Sequence, residues 1–449
     1  VQTDFEVDPN GELFMLELRH AVKLGIFSVV CLSCAIGVAD NWPQWRGANH
    51  NGICNEKNIP DDWDAKKNVL WKIEMPGPGG ATPAVWEDHV FVTSAADADL
   101  LLMAFTTQGK LKWKNKIGSG NRVARTDEGN FASPSPVTDG KHVWAFVGSG
   151  DLVCCDFEGN EKWHINLQDI YGKFQIQFGM SSTPILDGEH LYLQLIHGEG
   201  DAKTREAIVL ALDKNTGKQV WKVDRPSEAV AENEHSYASP TLYVDGKTKF
   251  LLTHGADYIV AHSLDDGHEL WRCAGLNPKE KYNRTLRLVS SPVAAPGLII
   301  APSAKDGPIL ALNPNLSGDI TNSTEGRLWT RAKNTPDVSS PLIYDGIIYL
   351  CREAGIMLTL DAKTGEEIYM ERIHNHRHRS SPVYADGKIY CIARDGVVTI
   401  LKAGRKFEVV REIKMDEDIS ASPAISNGRI YIRSFQSLWC IGNSQVAGK

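Results

Sequence analysis

The chain has 449 residues, 42% of them apolar and 23% charged, and a formal net charge of −8. That is the balance of a soluble, core-forming chain, and its mildly acidic character argues against a general nucleic-acid partner. Hydroxyl, Gly and Pro punctuation is spread evenly, with no long helical periodicity beyond the N-terminus, which points to an all-β chain.

In chain order, residues 15–23 carry Arg19 and Lys23, and an unbroken apolar run, LGIFSVVCLSCAIGVA, follows over 24–39. With small Gly37 and Ala39 at its end, this is the three-part layout of a secretory signal, and cleavage after Ala39 is expected. The run has 16 residues, short of the roughly 20 that span a bilayer, so no transmembrane anchor is expected in the mature chain. The 14 residues before Met15 read as an over-extended gene start. Cys31 and Cys34 lack the full pattern of a lipid-attachment site. Loss of 1–39 removes five acids and two bases, moving the charge from −8 to −5. The product is expected in the periplasm or outside the cell, as a monomer. Seven of the nine cysteines follow the signal; odd in number and scattered, they imply no dense disulfide framework.

From residue 82 a repeat begins. Eight hydroxyl-proline pairs recur: Thr82-Pro83, Ser135-Pro136, Thr183-Pro184, Ser239-Pro240, Ser291-Pro292, Ser340-Pro341, Ser381-Pro382 and Ser422-Pro423. Their spacing averages about 49 residues, in the range of repeat architectures. Seven are followed by a turn dipeptide such as Asp386-Gly387 or Asn427-Gly428, strong hairpin signals in which both residues are expected at positive φ. An alternating strand, a polar loop and a third strand come next. A turn glycine then precedes an aromatic that opens the fourth strand: Trp113, Trp163, Trp221, Trp271, Trp329 and, by substitution, Tyr369.

Four-stranded units repeated eight times predict an eight-bladed β-propeller over 68–442, with a packing extension at 40–67 and a tail at 443–449. The last repeat stops at its third strand, 437–442, while an orphan strand opened by Trp71 stands at 68–75. Pairing the two closes the ring and covers both open edges. Proline at the start of each innermost strand removes an N–H that has no ladder partner and keeps the preceding residue extended. The small Ser or Thr beside it fits the crowded inner end and is expected to bond local backbone. The aromatics are expected to pack between blades, at about 3–5 kcal/mol for a buried Trp replaced by Ala.

LALDKNTGKQVWK (210–222), the SSPV…DGKIY stretch (380–390) and NWPQWRGANHNG (41–52) resemble the pyrroloquinoline-quinone-type β-propeller repeat family and its exported bacterial members. The resemblance implies the propeller fold and two kinds of function. Some members are dehydrogenases holding the quinone and Ca²⁺ at the channel mouth. Others, like the lipoprotein of the outer-membrane β-barrel assembly machine, only bind partners. Fold alone does not choose between them.

Candidate chemistry is sparse. The resemblance suggests a cofactor-covering disulfide for adjacent Cys154 and Cys155, but both fall on ordinary third-strand positions and are expected to point to opposite faces. HNHRHRSS (374–381) alternates His374, His376 and His378 with Arg377 and Arg379. Alternating imidazoles are a ligand pattern, yet flanking arginines disfavour a cation, so an anion-attracting or solvated segment is expected. No haem-attachment, HExxH, phosphate-loop or nucleophile-elbow motif stands out. Long connections at 118–132, 167–180, 224–238 and 274–289, with 197–207, predict a wall over blades two to five, and function tends to sit on such loops. His235, Tyr237, Arg284, Arg287, Asp337, Arg377, His378 and Asp418 are the polar residues expected near the mouth. The insertion 313–326 reads as a mobile loop, and Trp42 and Trp45 as a plug. The reading is an exported, non-catalytic propeller that binds a protein or polymer on its long-loop face, with no resident cofactor or metal. The alternative is a quinone- and calcium-dependent oxidoreductase.

Overall fold

The computed structural model describes residues 41–64, 67–125, 129–198 and 206–443. The leader expected over 1–39 lies outside the described residues, as do 126–128 and 199–205 of two long loops. No helix among the described residues is long and apolar enough to cross a membrane.

Eight antiparallel four-stranded blades carry the fold, and in seven of them the four strands follow chain order from the inside out. Blades 1–7 span 84–119, 137–166, 185–224, 241–273, 293–331, 342–372 and 383–414. Blade 8 takes three strands from 424–442, and Val69–Glu74 completes it by pairing antiparallel with Ser437–Gly442. Lys72 reinforces this clasp, reaching Glu417 at 2.5 Å and lying 4.3 Å from the Trp439 ring. Alternation sends the two faces of each strand to two different neighbours, so the apolar clusters lie between blades. Phe91 and Val143 join blades 1 and 2, whereas Phe250 and Ile299 join blades 4 and 5.

The hairpins divide by register. At Asp345-Gly346, Asp386-Gly387 and Asn427-Gly428 both residues have positive φ. At Asp187-Gly188 and Asp245-Gly246 only the glycine does, because Asp187 pairs with His190 and Asp245 with Thr248. The glycine then takes the first central position, as a type II′ turn requires.

The hydroxyls before proline do not bond local backbone. The backbone N–H of each donates to the Oγ of its counterpart in the next blade: Thr82 to Ser135, Ser135 to Thr183, and onward to Ser422, at 2.8–3.0 Å. These bonds join residues 41 to 56 positions apart. Between blades 8 and 1 the polarity reverses, and Thr82 Oγ1 donates to the Ser422 carbonyl at 3.0 Å. One small hydroxyl per blade therefore makes a continuous inner ring.

The aromatics form an outer counterpart. Trp71, Trp113, Trp163, Trp221 and Trp329 donate their indole N–H to a carbonyl at the following blade's turn, at 2.8–3.1 Å. Each ring lies over that turn's glycine; a Cβ at Gly267 would come within 2.5 Å of Trp221. Trp271 differs, because blade 5 replaces the turn with the 313–326 insertion. That segment is no free loop: Gly318–Asp319 pairs in parallel with Trp271 and Arg272 as a fifth strand on blade 4. Ile320 is buried beside it, and Trp271 is 1% exposed.

The N-terminal extension crosses one end of the channel. Trp42 bridges to Val85 of blade 1, and the Pro43 carbonyl accepts from Thr138 of blade 2. Gln44 Oε1 accepts from Leu186 of blade 3. Arg46 reaches the Pro341 carbonyl at 2.6 Å, and Ile53–Cys54 pairs in parallel with the innermost strand of blade 7. These contacts fall one to three residues past the hydroxyl ring.

Candidate functional site

Closed from one end, the channel becomes a cup of about 480 Å³, within the range of small-ligand sites. Trp45 lines it from the extension, and all eight ring hydroxyls line it as well. A second tier comes from the residue two positions before each hydroxyl: Gly80, Ser133, Ser181, Tyr237, Val289, Val338, Arg379 and Ser420. Extended chain repeats its facing every two residues, so the segment entering each blade turns alternate side chains to the axis. In blades 5 and 7 the pattern continues one step further, to Arg287 and Arg377. Phe178, Asp337 and Glu353 also line the cup.

The long loops make a braced wall. Glu232 accepts from Arg287 Nη1 at 2.8 Å, Asn233 donates to the Asn283 carbonyl, and the Tyr282 hydroxyl accepts from Val230 N–H. Ser236 bridges to Leu288, tying the entry to blade 4 to the entry to blade 5. Tyr282 also donates to Asp257 at 2.5 Å, whose carboxyl is pushed up chiefly by burial. The Arg287 guanidinium lies 4.8 Å from the Phe178 ring, a cation–π distance. The Tyr237 hydroxyl accepts from the Phe178 N–H, and burial pushes that phenol up. On the opposite rim Arg379 pairs with Glu353 at 3.0 Å, while Asp337 accepts the Lys305 backbone N–H.

Of the eight residues expected at the mouth, Tyr237, Arg287, Asp337 and Arg377 line the cup. The other four do not. His235 is buried, bonding the Gly198 carbonyl at 2.7 Å. Arg284 is exposed, and its carbonyl accepts from Glu232. Asp418 pairs outward with Arg394 at 3.0 Å. His378 stands one residue out of phase with the lining positions; it is fully buried, with Nδ1 at 3.0 Å from the His376 carbonyl. Trp45, read from sequence as part of a plug, lines the cup; sequence reasoning missed Phe178, Glu353 and Arg379 as lining residues. The two-residue phase before each hydroxyl was the signal that finds Arg379.

Asp395 stands 2.9 Å from His374, a carboxylate not evident in the local sequence. Yet no group of three or more His, Cys, Asp or Glu side chains among the described residues is spaced to hold a metal ion. Cys154 and Cys155 are free thiols in different inter-blade clusters, pushed up to about 12 and about 11 by burial. Opposite facing on one strand forbids a disulfide over the cup.

Burial holds several imidazoles neutral, among them His197, His262 and His378 at about 4 and His254 at about 3. Above the unfolded value near 6.5 both states are neutral. As pH falls from there toward 4 the unfolded chain takes up protons that the folded chain refuses, so stability falls. Each group contributes up to about 1.4 kcal/mol per pH unit over that window. Urea midpoints at pH 7, 6 and 5 are expected to descend, with a shallower slope in His378→Gln.

The sequence profile of the family described as outer membrane protein assembly factor BamB matches in four overlapping segments, 62–169, 95–222, 197–323 and 319–447. The chain belongs to this family. Among curated relatives, a polyvinylalcohol dehydrogenase of Sphingopyxis is 28% identical over 198 residues, 42% of this chain and 29% of its own length. A quinoprotein ethanol dehydrogenase of Pseudomonas aeruginosa is 39% identical over 80 residues, 15% of this chain and 12% of its own. The chain thus spans less than a third of these relatives. In structure it is similar to BamB of Moraxella catarrhalis, with TM-score 0.60 and 15% identity over 84% of this chain and 97% of that one. It is also similar to the quinohemoprotein alcohol dehydrogenase of Comamonas testosteroni, with TM-score 0.67 and 13% identity over 90% and 81%. At such identities the likeness shows the fold.

The quinone and calcium implied by the dehydrogenases can be tested against the donors in the cup. Among the described residues two carboxylates line it, Asp337 and Glu353, and Glu353 is already committed to Arg379. A hard cation needs six to eight oxygen ligands. Among the described residues the lining offers no Asn or Gln amide beside those two carboxylates, a poor fit to calcium.

Proposed function

We propose that the protein is an exported, non-catalytic propeller that holds a protein or polymer partner on its long-loop face. The observation that carries this reading is the wall built by 224–238 and 274–289. Two loops of irregular chain are cross-braced by Glu232–Arg287, Asn233–Asn283 and Ser236–Leu288, so a large surface is held ready without ordering cost on binding. The family match is consistent with it, since the description names an assembly factor. Residence in the periplasm is part of the same reading, and the leader pattern and the family match support it.

The dehydrogenase reading draws on the two curated relatives. Against it, the described residues of the cup are a poor calcium donor set, and Cys154 and Cys155 are free thiols. Mixing the purified chain with pyrroloquinoline quinone and Ca²⁺, followed by absorbance and dye-linked alcohol oxidation, separates the two. The expected result is no turnover. Stoichiometric uptake with turnover overturns the proposal.

A further inference from the structure

We infer that the cup is a receptor for an oxyanion, the carboxylate or phosphate group of a ligand or partner. The argument starts from hydrogen-bond bookkeeping in the inner ring. A serine or threonine hydroxyl offers one donor and two acceptor sites. In Ser135, Thr183, Ser239, Ser291, Ser340, Ser381 and Ser422 the oxygen already accepts a backbone N–H from the preceding blade. Among the described residues none of these seven hydroxyls has an acceptor for its own proton, and all seven residues are at most 6% exposed while lining the cup. One tier above, the buried Ser420 Oγ has no protein partner at all.

The charged groups point the same way. Arg287, Arg377 and Arg379 line the cup, against Asp337 and Glu353. Glu353 is taken up by Arg379, Asp337 already accepts the Lys305 N–H, and Arg287 gives one N–H to Glu232 and keeps others to donate. Each ring hydroxyl keeps one proton and one acceptor site, whereas a guanidinium donates only, so the lining is tipped toward donors by its three arginines even though the charges nearly balance. Water satisfies such donors one or two at a time. A carboxylate or phosphate oxygen accepts several, with charge assistance. Trp45, Phe178 and Tyr237 give the cavity apolar surfaces beside these donors, and low local dielectric strengthens each bond made there. The ring has a structural role in joining blades, but that role uses its oxygens and leaves its protons. This inference rests on the long-loop face being a binding face and not a redox centre.

Calorimetric titration of the full chain with citrate and, separately, inorganic phosphate tests it, at constant ionic strength with chloride as the control. One-to-one saturable binding of at least one anion is expected. Citrate alone assigns a carboxylate; phosphate alone assigns a phosphate. Arg287→Gln is expected to weaken binding roughly tenfold or more. Ser420→Ala, which breaks no protein hydrogen bond, is expected to weaken it about two- to tenfold with an unchanged melting temperature. Failure of both anions to saturate a site up to about 10 mM overturns the inference, as does equal binding by wild type and both variants. No quinone or partner enters this titration, so its failure leaves the partner reading standing. Quinone turnover would sink that reading whatever the titration gives.

Discussion

A chain shortened to begin at Pro76 is expected to lose most of its cooperative stability, on the order of the 5–15 kcal/mol that a folded domain has in total. Deleting the preceding segment removes the outer strand of blade 8. The third strand, Ser437–Gly442, is buried along its whole length, and it would be left with an unpaired edge and uncovered Leu438, Trp439 and Ile441. Glu417 would lose Lys72 while still bonded to Ser434, Ser437 and Trp439. The channel would also lose Trp42, Trp45 and Arg46. Urea unfolding followed by far-ultraviolet circular dichroism reads the effect. An unchanged midpoint and slope would mean that the ring does not depend on its clasp.

Trp271→Ala is expected to cost about 3–5 kcal/mol, the range for a large buried aromatic removed from a packed site. Trp271 is the most buried of the blade-opening tryptophans: 1% exposed against 7% for Trp221, with Trp71, Trp113, Trp163 and Trp329 half-buried. The fifth strand from blade 5 covers it. Its indole N–H has no protein acceptor, so the cost is that of the ring volume and not of a hydrogen bond. Trp271→Phe should then stay below about 1.5 kcal/mol. Trp71→Phe, by contrast, gives up the bond to the Thr107 carbonyl. Denaturant midpoints of the three variants check the order, and a Trp271→Phe loss as large as Trp271→Ala would refute it.

Much of this architecture is legible in residue order. Pro and Gly mark where each hairpin turns, and the first seven blades are built on strands that follow one another in the chain. The clasp is legible by subtraction, since the eighth repeat lacks a strand and Trp71 opens a spare one. The site is legible only in part. Tyr237, Arg287, Asp337 and Arg377 stand within four residues of a ring hydroxyl and reach the cup, but His378 stands equally near and is turned inward to Ala393 and His376. Proximity in sequence brings a residue to the rim; the two-residue phase accounts for Tyr237, Arg287, Arg377 and Arg379, while Asp337 reaches the cup from the same three-residue offset at which His378 is buried.

By itself the sequence determined eight four-stranded units, their turns and the aromatic at each outer strand, because these depend on φ preference, alternation and hairpin pairing over a few residues. Tertiary structure decided what lies across repeats: the hydroxyl ring joining residues 41 to 56 apart, the Trp45 floor, the strand that Gly318–Asp319 lends to blade 4, and the pairing of Arg379 with Glu353. Those contacts join groups whose chain separation carries no local signal, and they form only when the ring closes and brings every blade's inner end to one axis.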